Sequence, residues 1–219
     1  MTTIITMDQN ITTVPANTPT IQAIGDVLFS DKFNRAGQLG GSAGDLFAGG
    51  TAHSWGGTAQ AANATAVTNG GQLTIGAAGV SSECVDMGRP DVTLSMKLLS
   101  GVTSIASGQN AMIEMRKASA ATGDTLRLTM NSYNSVVGGR VDLYKRVGGS
   151  ATIIANGPGW KVGDVLKIDL KGNRIRIYIN DLLQNDITDN SILTGNFFGF
   201  ATSSSNRPWI ITDYIVRAN

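Results

Sequence analysis

The sequence predicts an all-β chain folded as a two-sheet antiparallel sandwich, and three observations carry the prediction. Leu166, Ile168 and Leu170 alternate with Lys167, Asp169 and Lys171. After Gly172-Asn173 the alternation resumes with Ile175, Ile177 and Ile179 against Arg174, Arg176 and Tyr178. That is a β-hairpin with one buried and one wet face, closed by a two-residue turn whose glycine supplies positive φ. Turn residues recur throughout: there are 27 glycines in 219 residues, and turn signals fall about every 8 to 12 residues. No stretch shows heptads or a long repeat, and nothing reads as a linker that would split a domain.

Taken in order, residues 1–26 hold Ile4, Ile5, Ile11, Val14 and Ile21 among threonines and two prolines, Pro15 and Pro19, with no sustained alternation. They are read as an extended N-terminal arm, loose or laid against a neighbouring subunit, ahead of one domain over residues 27–219. Val27 to Phe33 is the first predicted strand. In the Gly/Ala-rich stretch that follows, strands are expected near Thr51 to Trp55 and Ala62 to Thr68, because so long a free loop is uncommon. Gln72 to Gly76 and Ser81 to Met87 come next. Asp91 to Leu99 alternates cleanly through Val92, Leu94, Met96 and Leu98. Ala111 to Lys117, Thr125 to Tyr133 and Val136 to Val147 follow, and Gly148-Gly149 turns into Ser150 to Ala155. Pro158-Gly159-Trp160 reads as a loop. A turn at Asn180-Asp181 is expected to take the chain out of the sheet, and two strands near Asn196 to Thr202 and Trp209 to Ala218 close the count at about twelve to fourteen.

Charge and composition exclude several classes. Only 15% of residues are charged, the net charge is +1, and no run of like charge exceeds two residues. There is no footprint for nucleic acid or an anionic membrane. No apolar run reaches 18 residues, and the N-terminus lacks the pattern of a signal peptide, so a soluble chain outside the secretory route is expected. Cys84 is the one cysteine and His53 the one histidine, which excludes an internal disulfide and a zinc site of ordinary spacing. Cys84 is read as a small buried hydrophobe.

Several motifs occur in a telling order: Asp31-Lys32-Phe33-Asn34-Arg35 with Gly37-Gln38-Leu39-Gly40, then Asn69-Gly70-Gly71-Gln72-Leu73, Tyr178-Ile179-Asn180-Asp181, Gly199-Phe200 and Asp213-Tyr214-Ile215-Val216. Together they resemble the concanavalin A-like, LamG-type jelly roll, in the version with an opening D-x-F-N-R and G-x-L-G that occurs in structural proteins of tailed bacteriophages. The resemblance covers residues 27–217. It implies a jelly-roll sandwich acting as a capsid decoration or minor tail component, assembled with other virion proteins and in symmetric copies of itself. Low charge and the absence of a catalytic constellation agree with such a non-enzymatic role. A lectin-like module contacting host-surface glycans is the alternative.

The same resemblance raises catalysis, glycan and calcium. Retaining glucanases set carboxylates two residues apart on one strand, aimed into a cleft. Here the only glutamates are Glu83 and Glu114, neither in that pattern, and Glu114 is expected to share a face with Met112 and Arg116. Exposed aromatics would serve glycan, with Tyr144, Tyr178 and Trp160 the candidates among the tryptophans and tyrosines. LamG-type domains often hold Ca²⁺; Asp181, Asp186 and Asp189 after the hairpin, or Asp31 with Asp213 if first and last strands pair, are the candidate ligands.

Overall fold

The computed structural model describes residues 25–34, 37–38, 46–47, 55–58, 65–68, 71–75, 81–100, 111–119, 123–134, 138–202 and 209–219. The arm residues Ile4, Ile5, Ile11, Val14 and Ile21 lie outside them. The described residues contain no helix and seventeen strands. In chain order these are β1 (Val27–Asp31), β2 (Gly37–Gln38), β3 (Leu46–Phe47), β4 (Gly56–Thr58), β5 (Thr65–Thr68), β6 (Gln72–Ile75), β7 (Ser81–Asp86), β8 (Val92–Ser100) and β9 (Ala111–Lys117). They continue as β10 (Thr125–Asn134), β11 (Gly138–Val147), β12 (Ser150–Trp160), β13 (Val165–Lys171), β14 (Arg174–Ile179), β15 (Leu182–Thr188), β16 (Phe197–Thr202) and β17 (Trp209–Ala218).

The predicted hairpin forms as read. Lys171 pairs with Arg174 across Gly172-Asn173, and Gly172 has φ 54°. The first sheet runs β15-β14-β13-β8-β17-β6-β5-β2, with β1 also on β17 and β3 on β1; the second runs β12-β11-β10-β9-β16-β7-β4. Alternation on each strand becomes a continuous apolar row across each sheet, because cross-strand partners share a face. In the first sheet the row is Ile177, Ile168, Leu94, Val216 and Phe29. In the second it is Leu143, Leu128, Ile113 and Phe200. All nine side chains are buried, so the two inner faces form one core of the kind sandwiches share.

Trp55 joins the sheets. Its ring stacks on Phe200 of the second sheet at 5.6 Å and meets Phe29 of the first edge-on at 5.3 Å. Its Nε1–H donates to Asp31 Oδ2 at 2.8 Å, and Asp31 also accepts the Phe33 N–H at 2.7 Å. Phe33, at φ 57°, is held in a conformation a bulky residue seldom adopts. Beside Trp55, the Tyr214 hydroxyl is buried with no hydrogen-bond partner among the described residues. Burial, followed by the neighbouring Cys84, pushes the phenol's pKa up. Tyr214→Phe should therefore raise stability by about 1 kcal/mol, since it removes an orphaned hydroxyl and keeps the ring. A urea midpoint that falls instead would show the hydroxyl to be satisfied.

Two expectations are corrected. The chain does not leave the sheet at Asn180-Asp181: both residues take positive φ, 51° and 63°, and the chain returns at once as β15, with Ile179 opposite Leu182. Paired left-handed residues make the tight turn that suits a twisted hairpin. Pro158-Gly159-Trp160 is no loop either but the end of β12. Because β12 is the sheet's edge strand, a proline that cannot donate to a ladder is tolerated there. The side chain of Asn185 on β15 donates to Asn156 O on β12, and Lys145 on β11 pairs with Asp189, so the two sheets are tied along this side.

Candidate functional site

The outer face of the second sheet carries the most unusual group of side chains. Its central row crosses all seven strands: Gly56, Cys84, Gly199, Glu114, Arg127, Tyr144 and Ile153 are successive cross-strand partners. The two glycines leave room at one end. Over Gly199, where a Cβ would overlap the Glu83 carbonyl, Glu114 reaches from β9 across β16 to bond Ser82 on β7. Cys84 Sγ lies 3.7 Å from the same Glu114 Oε2.

Glu114 is fully buried and doubly paired. Lys117 Nζ is 3.1 Å from Oε2 and Arg127 Nη2 is 2.7 Å from Oε1, with Arg127 Nε adding a second bond at 3.1 Å. Residues three apart on a regular strand face opposite sides. Lys117 rejoins Glu114 because Arg116 adopts φ 49° and β9 bulges against β16. Arg116 does not join the group as expected: its guanidinium bonds Pro90 O, Ile192 O and Asp91 instead. Burial by itself would push the Glu114 carboxyl up. The charges of Lys117 and Arg127 and the bonds from Ser82 and Lys117 outweigh it and hold the pKa below the usual value. The carboxylate is thus kept ionised and poorly suited to donate a proton. Burial and the Glu114 charge push the Cys84 thiol up to about 12, so it stays protonated, consistent with a buried hydrophobe rather than a nucleophile.

Farther along the row the face opens. Arg127 keeps 17% of its side chain exposed, Tyr144 and Arg146 are half-buried, and Ile153 is 46% exposed. Asp142, next to Tyr144 on the same side of β11, is spent on Arg140 at 2.8 Å and on the Gly157 N–H at 3.2 Å.

No family model matches the sequence, and a search of curated proteins returned no match. Solved structures do match the fold. A prokaryotic β-1,3-1,4-glucanase (lichenase) derived from a mouse hindgut metagenome superposes with a TM-score of 0.56 at 7% identity, covering 87% of this chain and 98% of its own. The laminarinase from Rhodothermus marinus gives 0.54 at 13% identity, with 89% and 97% covered. The Bacillus licheniformis β-glucanase gives 0.52 at 12%, with 89% and 99% covered. The fold is a concanavalin A-like jelly roll. At such identities the likeness speaks for the fold alone.

The jelly roll separates the residues that the sequence groups together. Tyr144 lies on the outer face of the second sheet. Tyr178 lies on the outer face of the first, opposite Lys167, whose Nζ sits 4.5 Å from its ring centroid. Trp160 is 2% exposed and cannot be a sugar platform. Its indole packs over Gly139, where a Cβ would come within 2.5 Å of Nε1. The three aspartates do not converge on a cation. Asp181 pairs with Lys167, Asp186 with Arg174 and Arg176, and Asp189 with Lys145 and Ser191. First and last strands do pair, but Asp31 shares the buried side of Tyr214 while Asp213 is exposed. Among the described residues no three His, Cys, Asp or Glu side chains stand together as metal ligands would, so these residues do not fit calcium. The Lys117–Glu114–Arg127 group was not legible beforehand, since Lys117 reaches it only through the bulge.

Proposed function

We propose that this jelly roll is a non-catalytic glycan-binding module whose binding face is the outer surface of the second sheet around Tyr144. One observation carries the reading: the cross-strand row sets a partly exposed aromatic ring between Arg127 and the exposed Ile153. An aromatic face for the apolar side of a sugar, beside fixed hydrogen-bond donors, is the chemistry that glycan recognition uses. The structural neighbours include glucanases and a laminarinase, proteins named for action on glycans. Binding without cleavage is supported by Glu114. A retaining hydrolase needs a protonatable acid and a second carboxylate about 5 to 5.5 Å away, whereas Glu114 is held ionised, Glu83 shares the inner face with Phe200, and Asp142 is tied to Arg140.

Affinity electrophoresis through polysaccharide gels tests this. The wild-type chain is expected to be retarded, Tyr144→Ala to migrate freely, and Tyr178→Ala, altered on the opposite face, to behave as wild type. Retardation unchanged in Tyr144→Ala would sink the assignment. Release of reducing ends that disappears in Glu114→Gln would overturn its non-catalytic part.

The setting in which such a module works is a separate reading. The opening Asp31 to Gly40 motif favours display on a phage virion, as capsid decoration or minor tail component, with residues 1–26 as the attachment. This rests on the sequence resemblance alone. Sedimentation with particles stripped of the protein, comparing the full chain with one starting at Val27, tests it: retention of only the full chain supports the arm as anchor, and failure of both removes the virion.

A further inference from the structure

We infer that the ligand of the Tyr144 face is an acidic polysaccharide whose uronate carboxylates are taken by Arg127 and Arg146, an inference that rests on the glycan-binding reading and names its substrate class. Neutral sugars are bound largely through hydroxyls, which call for acceptors as well as donors. Around Tyr144 the carboxylates of Glu114 and Asp142 are already used. Both Glu114 oxygens are occupied, by Arg127 on one side and by Ser82 and Lys117 on the other. Asp142 is held by Arg140 and Gly157 N–H. Lys117 and Arg140 are committed to Glu114 and Asp142, which leaves Arg127 and Arg146 as the cationic donors with capacity beside the ring.

Arg146 is the least satisfied of these. It lies two residues from Tyr144 on the same side of β11, opposite Thr125. Its one hydrogen bond among the described residues is a long one, from Nε to Gly149 O at 3.4 Å. The nearby Asp124 carboxylate accepts the Gly148 N–H instead. Arg127 spends Nε and Nη2 on Glu114 and keeps Nη1 for another acceptor. Two guanidinium groups therefore flank one aromatic ring, and each presents the planar fork that pairs with a carboxylate. Arg127 stands directly across from Tyr144, and Arg146 lies two residues, about 6.6 Å, farther along β11, so both cations can meet one bound sugar chain. Glu114 acts here as a positioning residue, fixing the Arg127 guanidinium while the buried Lys117 compensates its charge.

The full chain, titrated calorimetrically with polygalacturonate, fully methyl-esterified polygalacturonate, lichenan and dextran sulfate, decides the matter. Polygalacturonate is expected to bind, its ester and lichenan to bind at least tenfold more weakly, and added salt to weaken the binding. Arg146→Gln should raise the Kd for polygalacturonate about tenfold, the loss of one charge-assisted contact, with a nearly unchanged urea midpoint because the half-buried Arg146 gives only one long hydrogen bond to the described residues. Arg146→Lys should recover only part of this. Equal binding of the ester or of lichenan, with Arg146→Gln like wild type, overturns the acidic ligand and leaves glycan binding standing. Tighter binding to dextran sulfate overturns the carboxylate in favour of sulfate. Binding to none of the four overturns both readings.

Discussion

Trp55→Ala is expected to leave the jelly roll largely unfolded at room temperature. Cutting a buried indole to a methyl group costs about 3 to 5 kcal/mol through lost transfer energy and the cavity left behind. Here the cavity would open between Phe29 and Tyr214 of one sheet and Phe200 of the other. A second loss adds to it. Asp31 is fully buried and accepts the indole N–H at 2.8 Å, and removing a donor from a buried acceptor costs about 1 to 3 kcal/mol more. Together these approach the entire stability of an ordinary domain, about 5 to 15 kcal/mol. Trp55→Phe separates the two, keeping most of the ring and losing only the donor. Far-UV circular dichroism in urea checks both, and a Trp55→Ala midpoint within experimental error of wild type would show that the two sheets do not depend on this side chain for their packing.

Much of this core was legible in advance because it follows period two. Val92, Leu94, Met96 and Leu98 alternate, are buried, and form the ladder between β13 and β17. The hairpin at Gly172 was legible because turn and alternation agree. What escaped were places where the backbone leaves that period. Leu182-Leu183-Gln184-Asn185-Asp186 has no alternation, yet it forms a strand because Asn180 and Asp181 can take positive φ and pairing then follows from proximity. Pro158 suggests a break where only an edge strand exists. The candidate site was hidden for the same reason: a left-handed arginine is not a pattern a sequence displays, and it decides which of Arg116 and Lys117 meets Glu114. Tyr144 was legible as a polar-side aromatic, but its separation from Tyr178 by the thickness of the sandwich required knowing which sheet each strand joins.

Glu114→Ala is expected to destabilise the protein by about 3 to 5 kcal/mol at neutral pH, because it removes the buried carboxylate that both the buried Lys117 and the mostly buried Arg127 pair with. The loss comes from buried cations left short of negative charge more than from the pair itself. Removing the lysine as well, in Glu114→Leu with Lys117→Met, should therefore recover much of it. The pH dependence distinguishes this account from simple loss of packing. The folded-state pKa of Glu114 is depressed below its ordinary 4.5, so the stability it contributes is fully present above that pH and is lost as pH falls through the folded value. Glu83 works in the opposite sense, its carboxyl raised by burial with Lys117 opposing; present in wild type and variant alike, it enters the gap only through the Lys117 that the two carboxylates share. The gap in unfolding free energy between wild type and Glu114→Ala should thus hold steady from pH 7 to about 5 and narrow below about 4.5. Urea titrations at stepped pH measure it. A gap that stays constant down to pH 3 would mean that Glu114 stabilises by filling space, and that its two cations find other partners when it is gone.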